Sequence, residues 1–271
     1  RSFSDPLGED DVRWLVVRAD LETDDSEADL LPLTLVPEDE VPRLLDSGPA
    51  SLLARAEGAQ RGVLCDALAV PSCGAELVEA IRSGLTAPLS DGELVGVPLK
   101  GLDELDLGDA PLVPTNLVRS ERFNTTLVFD ERLTLKTFRT VEAEINPDFE
   151  MRSFLAARQD SMIVAPVLGY IEYRRSHGVP VTVAVLNQFI PNQGTAWAMT
   201  LNHLSQYYER VAAGLHRRAE PEAPADAEAA EDMTSEAMMA VFDVHARPLG
   251  VQTARMHRTL ASARGESEFR P

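Results

Sequence analysis

One lysine inside an apolar strand limits what the stretch from Phe123 to Ile190 can become. Thr125 to Phe129 and Leu133 to Phe138 read as two strands, rich in Thr, Leu, Val and Phe. Asp130-Glu131 is the polar turn between them, although it lacks the glycine a tight hairpin prefers. Side chains alternate along a strand. Leu133 and Leu135 therefore point one way, and Thr134, Lys136 and Phe138 the other. An unpaired buried charge is costly, so Lys136 must meet an anion or reach water.

An anion is available downstream. Asn146-Pro147 is a helix start, with Asn146 as N-cap and Pro147 at the first helical position. The helix is expected over Pro147 to Arg158, and Glu150 and Phe154, four apart, share one side of it. Glu150 is the expected partner of Lys136. Protein kinases grip the nucleotide phosphates with a strand lysine held by a helix glutamate. The competing reading is a surface lysine with its stem along the sheet and its head in water.

The blocks NTTLVFDERLTLKTFR, INPDFEMRSFL and FIPNQGTAW, in this order and spacing, resemble the maltokinase family. The resemblance extends from LLPL at Leu30, through LVGVP at Leu94, to LGVQTARMHRTLA at Leu249. It implies an ATP-dependent kinase that phosphorylates maltose at its anomeric carbon, serves trehalose, glycogen and α-glucan metabolism, and is often fused to trehalose synthase. It implies an α+β fold with a cap subdomain over 1–84, a nucleotide lobe with a connecting region over 85–191, and the first helices of a second lobe over 192–271. The lobe is of the aminoglycoside-phosphotransferase type.

The same resemblance assigns site residues. Lys136 would hold the nucleotide and Glu150 would orient it, with Mg²⁺ bridging the phosphates. Asn124, Thr125 and Thr126 stand where protein kinases have a Gly-x-Gly-x-x-Gly loop, and backbone N–H groups with small hydroxyls can hold phosphate oxygens. An ordinary Asx or Thr turn explains them equally well. Gln188, Phe189 and Ile190 would be the hinge that meets adenine through backbone groups, or else the buried end of a strand. Arg139 is a second basic group near Lys136, or only a surface charge.

Three expected parts of the family pattern do not occur in residues 1–271. The family's opening Arg-Trp-Phe is missing, and so are the His-Gly-Asp-type catalytic loop and the later Asp-Phe-Glu block. The expectation is a piece of a larger polypeptide, inactive alone, with no catalytic residue and no metal ligand assigned. A non-catalytic kinase-like scaffold is the alternative from a different class.

Composition excludes some partners. The formal net charge is -19, from 44 Asp plus Glu against 25 Lys plus Arg, and such a surface repels nucleic acid and anionic membranes. No apolar run reaches the length of a membrane span, and Arg1-Ser-Phe-Ser-Asp is no signal peptide. Cys65 and Cys73 form no zinc set; two buried thiols in a reducing, cytoplasmic compartment are expected, with a single disulfide as the other choice.

The flanking regions carry structure rather than chemistry. Trp14 to Arg18 and Leu30 to Val36 read as strands around an acidic loop. Glu38 to Ala56 reads as helix broken at Gly48-Pro49, and Gly62 to Leu68 as a strand. Cys73 to Ser83 reads as a helix with Leu77, Val78 and Ile81 on one apolar side. Leu85 to Pro114 is expected to be a connecting region in which Leu94 to Pro98 pairs briefly; its Asp103, Glu104, Asp106 and Asp109 read as a solvated cluster. Ile163 to Glu172 and Val181 to Phe189 give two more strands. Trp197, Leu201, Leu204, Tyr208, Val211 and Leu215 then form one helical stripe, as core or partner surface. The insert 219–236, rich in Ala, Pro, Asp and Glu, reads as flexible. Helix is expected again from Met238 to Ala261, interrupted near Pro248.

Overall fold

The alternating segments build two antiparallel sheets in a computed structural model. It describes residues 2–3, 13–20, 26–46, 52–57, 61–105, 107, 112, 114–121, 124–140, 145–158, 164–218 and 227–263. The chain divides into two compact units, Arg1–Ile190 and Pro191–Pro271.

In the first unit, β1 (Ser2–Phe3), β2 (Arg13–Asp20), β3 (Ser26–Val36), β4 (Leu52–Ala56) and β5 (Gly62–Asp66) form one sheet, in the order β1-β2-β3-β5-β4. The helix α1 (Val41–Asp46) lies between β3 and β4. Leu52 to Ala56, expected to continue a helix, is strand instead: Leu52 faces Cys65 and Ala56 faces Gly62. The backbone of β5 offers that edge a full ladder partner, and pairing overrides the weak helical pattern.

Seven strands form the second sheet: β6 (Thr86–Leu89), β7 (Gly92–Pro98), β8 (Pro114–Glu121), β9 (Asn124–Phe129), β10 (Leu133–Phe138), β11 (Val167–Arg175) and β12 (Val181–Gln188). Their order is β6-β7-β11-β12-β10-β9-β8. The segment expected to be a connector thus supplies a hairpin, β6–β7, that extends this sheet through β11. Its tip is pinned where the Tyr173 hydroxyl meets Asp91 Oδ1 at 2.5 Å. The helix α3 (Lys100–Asp103) follows β7. Asp103 and Glu104 are exposed, while Asp106 and Asp109 lie outside the described residues.

The helix α2 (Pro71–Ser83) covers one face of the second sheet. It starts with Pro71 and ends at Gly84, whose φ of 65° is the left-handed conformation that glycine adopts at no steric cost. Leu77, Val78 and Ile81 pack with Leu127, Phe129, Leu133, Leu135, Ile171 and Leu186 in the main core. Each such side chain, fully buried, contributes about 1.5–3 kcal/mol. The helix approaches so closely that a Cβ on Gly96 would overlap the Ala80 carbonyl oxygen, and one on Gly169 the Ile81 side chain. Both cysteines are buried free thiols, and burial, with the Asp66 charge adding to it, pushes Cys65 up to about 11.

The opposite face of the sheet carries α4 (Pro147–Ala157), whose Phe149 ring lies 4.6 Å from that of Tyr170 on β11. The two sheets are tied where the Leu30 N–H donates to the Arg139 carbonyl at 2.6 Å, with a bridge between Asp29 and Thr140 beside it.

The second unit contains α5 (Ala196–Arg218) and α6 (Ala227–Ala261), paired so that the rings of His203 and His245 lie 6.4 Å apart. Trp197, Leu201, Leu204, Tyr208 and Val211 of the expected stripe are exposed. Residues 219–226 of the insert lie outside the described residues, whereas 227–236 are helical as the first turns of α6. Pro248 sits inside α6 without ending it. No helix among the described residues is long and apolar enough to cross a membrane.

Candidate functional site

The face of the second sheet beneath α4 is set by register. Lys136 on β10 stands directly opposite Thr126 on β9 and Val185 on β12, and Val185 stands opposite Tyr170 on β11. Directly opposed residues share a face. One row therefore reads Thr126, Lys136, Val185 and Tyr170, and the next reads Val128, Thr134, Asn187 and Val167. Leu127, Leu135 and Leu186 point the other way, into the core.

Lys136 meets an acid on α4, but it is Asp148. Nζ donates to Asp148 Oδ2 at 3.1 Å, with the two side chains 22% and 33% exposed. Glu150 takes no part in this pair, which corrects the expectation drawn from its spacing. The reason is local. Asn146 caps the helix, its Oδ1 accepting from the Asp148 N–H at 3.0 Å, so Asp148 sits in the first turn beside the strand. Glu150 is two residues on, about 200° around the helix, and cannot face the same strand.

Asp148 also accepts from Arg152 Nε through Oδ1 at 2.7 Å. Burial pushes the Asp148 carboxyl up, and the bonds and charges of Arg152 and Lys136 together pull it below its ordinary 3.8. The Phe138 ring lies 5.5 Å from Lys136 Nζ, so the ammonium rests against an apolar wall as well as its acid. Burial raises the Tyr170 phenol, with the Glu172 charge adding to the effect.

The three residues of the expected phosphate loop separate. Thr126 and Asn124 lie on the Lys136 face of β9, while Thr125 is 3% exposed on the other face. Its hydroxyl accepts from Arg139 Nε at 3.1 Å and Nη2 at 2.8 Å, and its carbonyl accepts from Thr137 Oγ1 at 3.1 Å. The Thr125 hydroxyl is thus engaged within the sheet rather than turned to the Lys136 face. Phe123 lies outside the described residues. Arg139 is no surface charge: its Nη2 pairs with Asp66 Oδ2 at 2.5 Å, and Asp66 also accepts from the Leu68 N–H at 3.0 Å. This chain of bonds fastens the end of β10 to the first sheet.

The segment Gln188 to Ile190 closes β12. Its Gln188 N–H donates to the Pro166 carbonyl at 2.9 Å and its Phe189 N–H to the Arg132 carbonyl at 2.8 Å. Those two donors are therefore used within the sheet and its flanking turns, while the Ile190 side chain is exposed. Just before this segment, Asn187 is 5% exposed and its Oδ1 has no hydrogen-bond partner among the described residues.

Sequence reasoning missed Asp148, Arg152 and Asn187. The signal for the first two was the spacing Asp148-x-x-x-Arg152 directly after an Asn-Pro start; for the third it was a carboxamide directly after the apolar run Val181-Thr-Val-Ala-Val-Leu, still within the strand. Among the described residues no group of three or more His, Cys, Asp or Glu stands close enough to hold a metal ion.

No family model matches the chain. Among solved structures it is similar to a glucosamine kinase in complex with glucosamine, ADP and inorganic phosphate, at 18% identity and a TM-score of 0.47, over 96% of this chain and 46% of that one. A glucosamine kinase in crystal form A matches at 17% identity and a TM-score of 0.48, over 96% of this chain and 43% of that one. The chain spans less than half the length of these structures. At these values the likeness assigns no role to any residue here.

Proposed function

We propose that this chain is the nucleotide-binding part of an ATP-dependent carbohydrate kinase, with maltose as acceptor and maltose 1-phosphate as product. One observation carries the nucleotide reading: Lys136 is held by the first-turn acid of α4, at 3.1 Å from Asp148 Oδ2. A lysine fixed in this way holds its positive charge at a defined place on the sheet, and phosphoryl transfer depends mainly on such positioning and charge stabilisation. Thr126 directly across from Lys136 adds a hydroxyl to the same row. The orphaned Asn187 oxygen and the Gln188 to Ile190 segment fit a polar base at the far end of that face.

Maltose as acceptor, Mg²⁺, a fused or associated trehalose synthase and a cytoplasmic setting rest on the sequence resemblance of the blocks around Asn124, Ile145 and Phe189. When bound, ATP supplies the phosphoryl group. This chain's own residues bind and orient it: Lys136 on the phosphates, and Asp148 fixing the ammonium. The 1–84 cap, the 85–191 lobe and the 192–271 helices of a second lobe belong to the same proposal.

The test is an ADP-release assay with ATP and maltose on the polypeptide that carries this chain. Maltose-dependent turnover that Lys136→Met abolishes, in a variant that still unfolds cooperatively and loses no more stability than the Lys136–Asp148 pair supplies, supports the reading. Full activity in Lys136→Met overturns it.

A further inference from the structure

Arg152 stands on α4 one turn after Asp148 and shares its carboxylate with Lys136. Arg152 Nε donates to Oδ1 at 2.7 Å, while Lys136 Nζ donates to Oδ2 at 3.1 Å. One acid therefore fixes two cations side by side. Arg152 uses a single N–H here, and its Nη1 and Nη2 groups make no bond among the described residues. The side chain is 30% exposed, open enough to be reached and dry enough to favour a charged partner.

We propose that Arg152 is a second phosphate ligand of this site, taking the outer phosphates of a nucleoside triphosphate beside Lys136 while Asp148 positions both cations. This rests on the nucleotide reading above. A guanidinium presents a planar fork that matches two oxygens of a phosphate, whereas an ammonium is a point charge that fixes no orientation. A triphosphate also carries several negative charges, more than one ammonium balances. The Asp148–Arg152 bond spans one helical turn, and as a mere helix-surface ion pair it would leave anion affinity untouched. Its placement differs from such a pair because the same carboxylate holds the lysine of the neighbouring strand.

The experiment is calorimetric titration of the full chain with ATP, ADP, AMP and inorganic tripolyphosphate at millimolar ligand. Affinity is expected to rise from AMP to ATP. Arg152→Gln is expected to weaken ATP and tripolyphosphate about tenfold and AMP less than about twofold. Arg152→Lys is expected to recover part of the loss, and the melting temperature of the ligand-free variants to stay near that of the parent. If Arg152→Gln binds ATP as the parent does while Lys136→Met loses it, the Arg152 inference fails and the nucleotide reading stands. Equal weakening of AMP and ATP places the effect in the fold and also overturns the inference. If the parent chain binds neither ATP nor tripolyphosphate, both fail together.

Discussion

Asp148, not Glu150, is the acid that holds Lys136, at 3.1 Å from the first turn of α4. A double-mutant cycle separates the two acids. Lys136→Met and Asp148→Asn are expected to couple by about 1 kcal/mol in thermal unfolding, whereas Lys136→Met and Glu150→Gln should add within about 0.3–0.5 kcal/mol. Coupling to Glu150 and additivity with Asp148 would reverse the assignment.

The same carboxyl makes a pH prediction. Its folded value lies below the ordinary 3.8, so the unfolded state takes up its proton first as pH falls. The stability it contributes is present above the ordinary value and is lost as pH drops through the folded one. The melting-temperature gap between the parent and Asp148→Asn should therefore be constant above about pH 5 and close below about pH 4. A gap that widens on acidification contradicts the pairing.

The β9–β10 turn stores strain. Asp130 and Glu131 have φ of 47° and 51°, and the Arg132 N–H closes the turn on the Phe129 carbonyl at 2.8 Å. Two positive-φ positions suit Asn-Gly or Asp-Gly in a hairpin. Glu131→Gly is expected to stabilise the chain by about 1 kcal/mol, the left-handed penalty outweighing the added backbone entropy. Denaturant unfolding reads it, and a lower midpoint would mean that the Glu131 side chain contributes more than its backbone costs.

The close seating of α2 on β7 makes Gly96 intolerant of a side chain. Gly96→Ala places a Cβ against the Ala80 carbonyl oxygen, which is backbone and cannot rotate away. Destabilisation of about 1–3 kcal/mol is expected from such overpacking. An unchanged melting temperature would show that α2 slides freely on the sheet.

Asn187 carries the opposite expectation. Its Oδ1 is buried without a partner among the described residues, and such a group costs about 1–3 kcal/mol, so Asn187→Leu should raise stability by about 1 kcal/mol. A loss on the same substitution would reveal a hydrogen bond that the carboxamide makes in solution.

How far the sequence foretold this arrangement differs from residue to residue. The strand with Lys136 was legible because Leu133 and Leu135 alternate with it, and alternation translates directly into faces. The α4 start was legible because Asn146-Pro147 is a cap chemistry with one outcome. The acid was not, because spacing along a helix says which residues share a side but not which side meets the strand. The bonds of Arg139 and Thr125 were not legible for a related reason: Asp66, which holds Arg139, lies far away in sequence on the other sheet. Leu52 to Ala56 misled because an edge strand with little burial carries no alternation to read, and only its pairing with β5 makes it a strand. The hinge reading of Gln188 to Ile190 rested on backbone groups, and no local signal showed that Pro166 and Arg132 take the Gln188 and Phe189 N–H groups.

The central claim is that nucleotide phosphates lie against Lys136, and the chain contains its own control, since its only other lysine is Lys100, exposed at the start of α3. An acyl-phosphate derivative of ATP transfers its acyl group to a lysine amine lying beside the bound phosphates, and peptide mass spectrometry reports which lysine received it. The account predicts acylation at Lys136, suppressed by excess ATP and unaffected by excess maltose, with Lys100 modified only at the rate of a free surface amine. Equal, ATP-insensitive labelling of Lys100 and Lys136, or labelling of Lys100 alone, would contradict it.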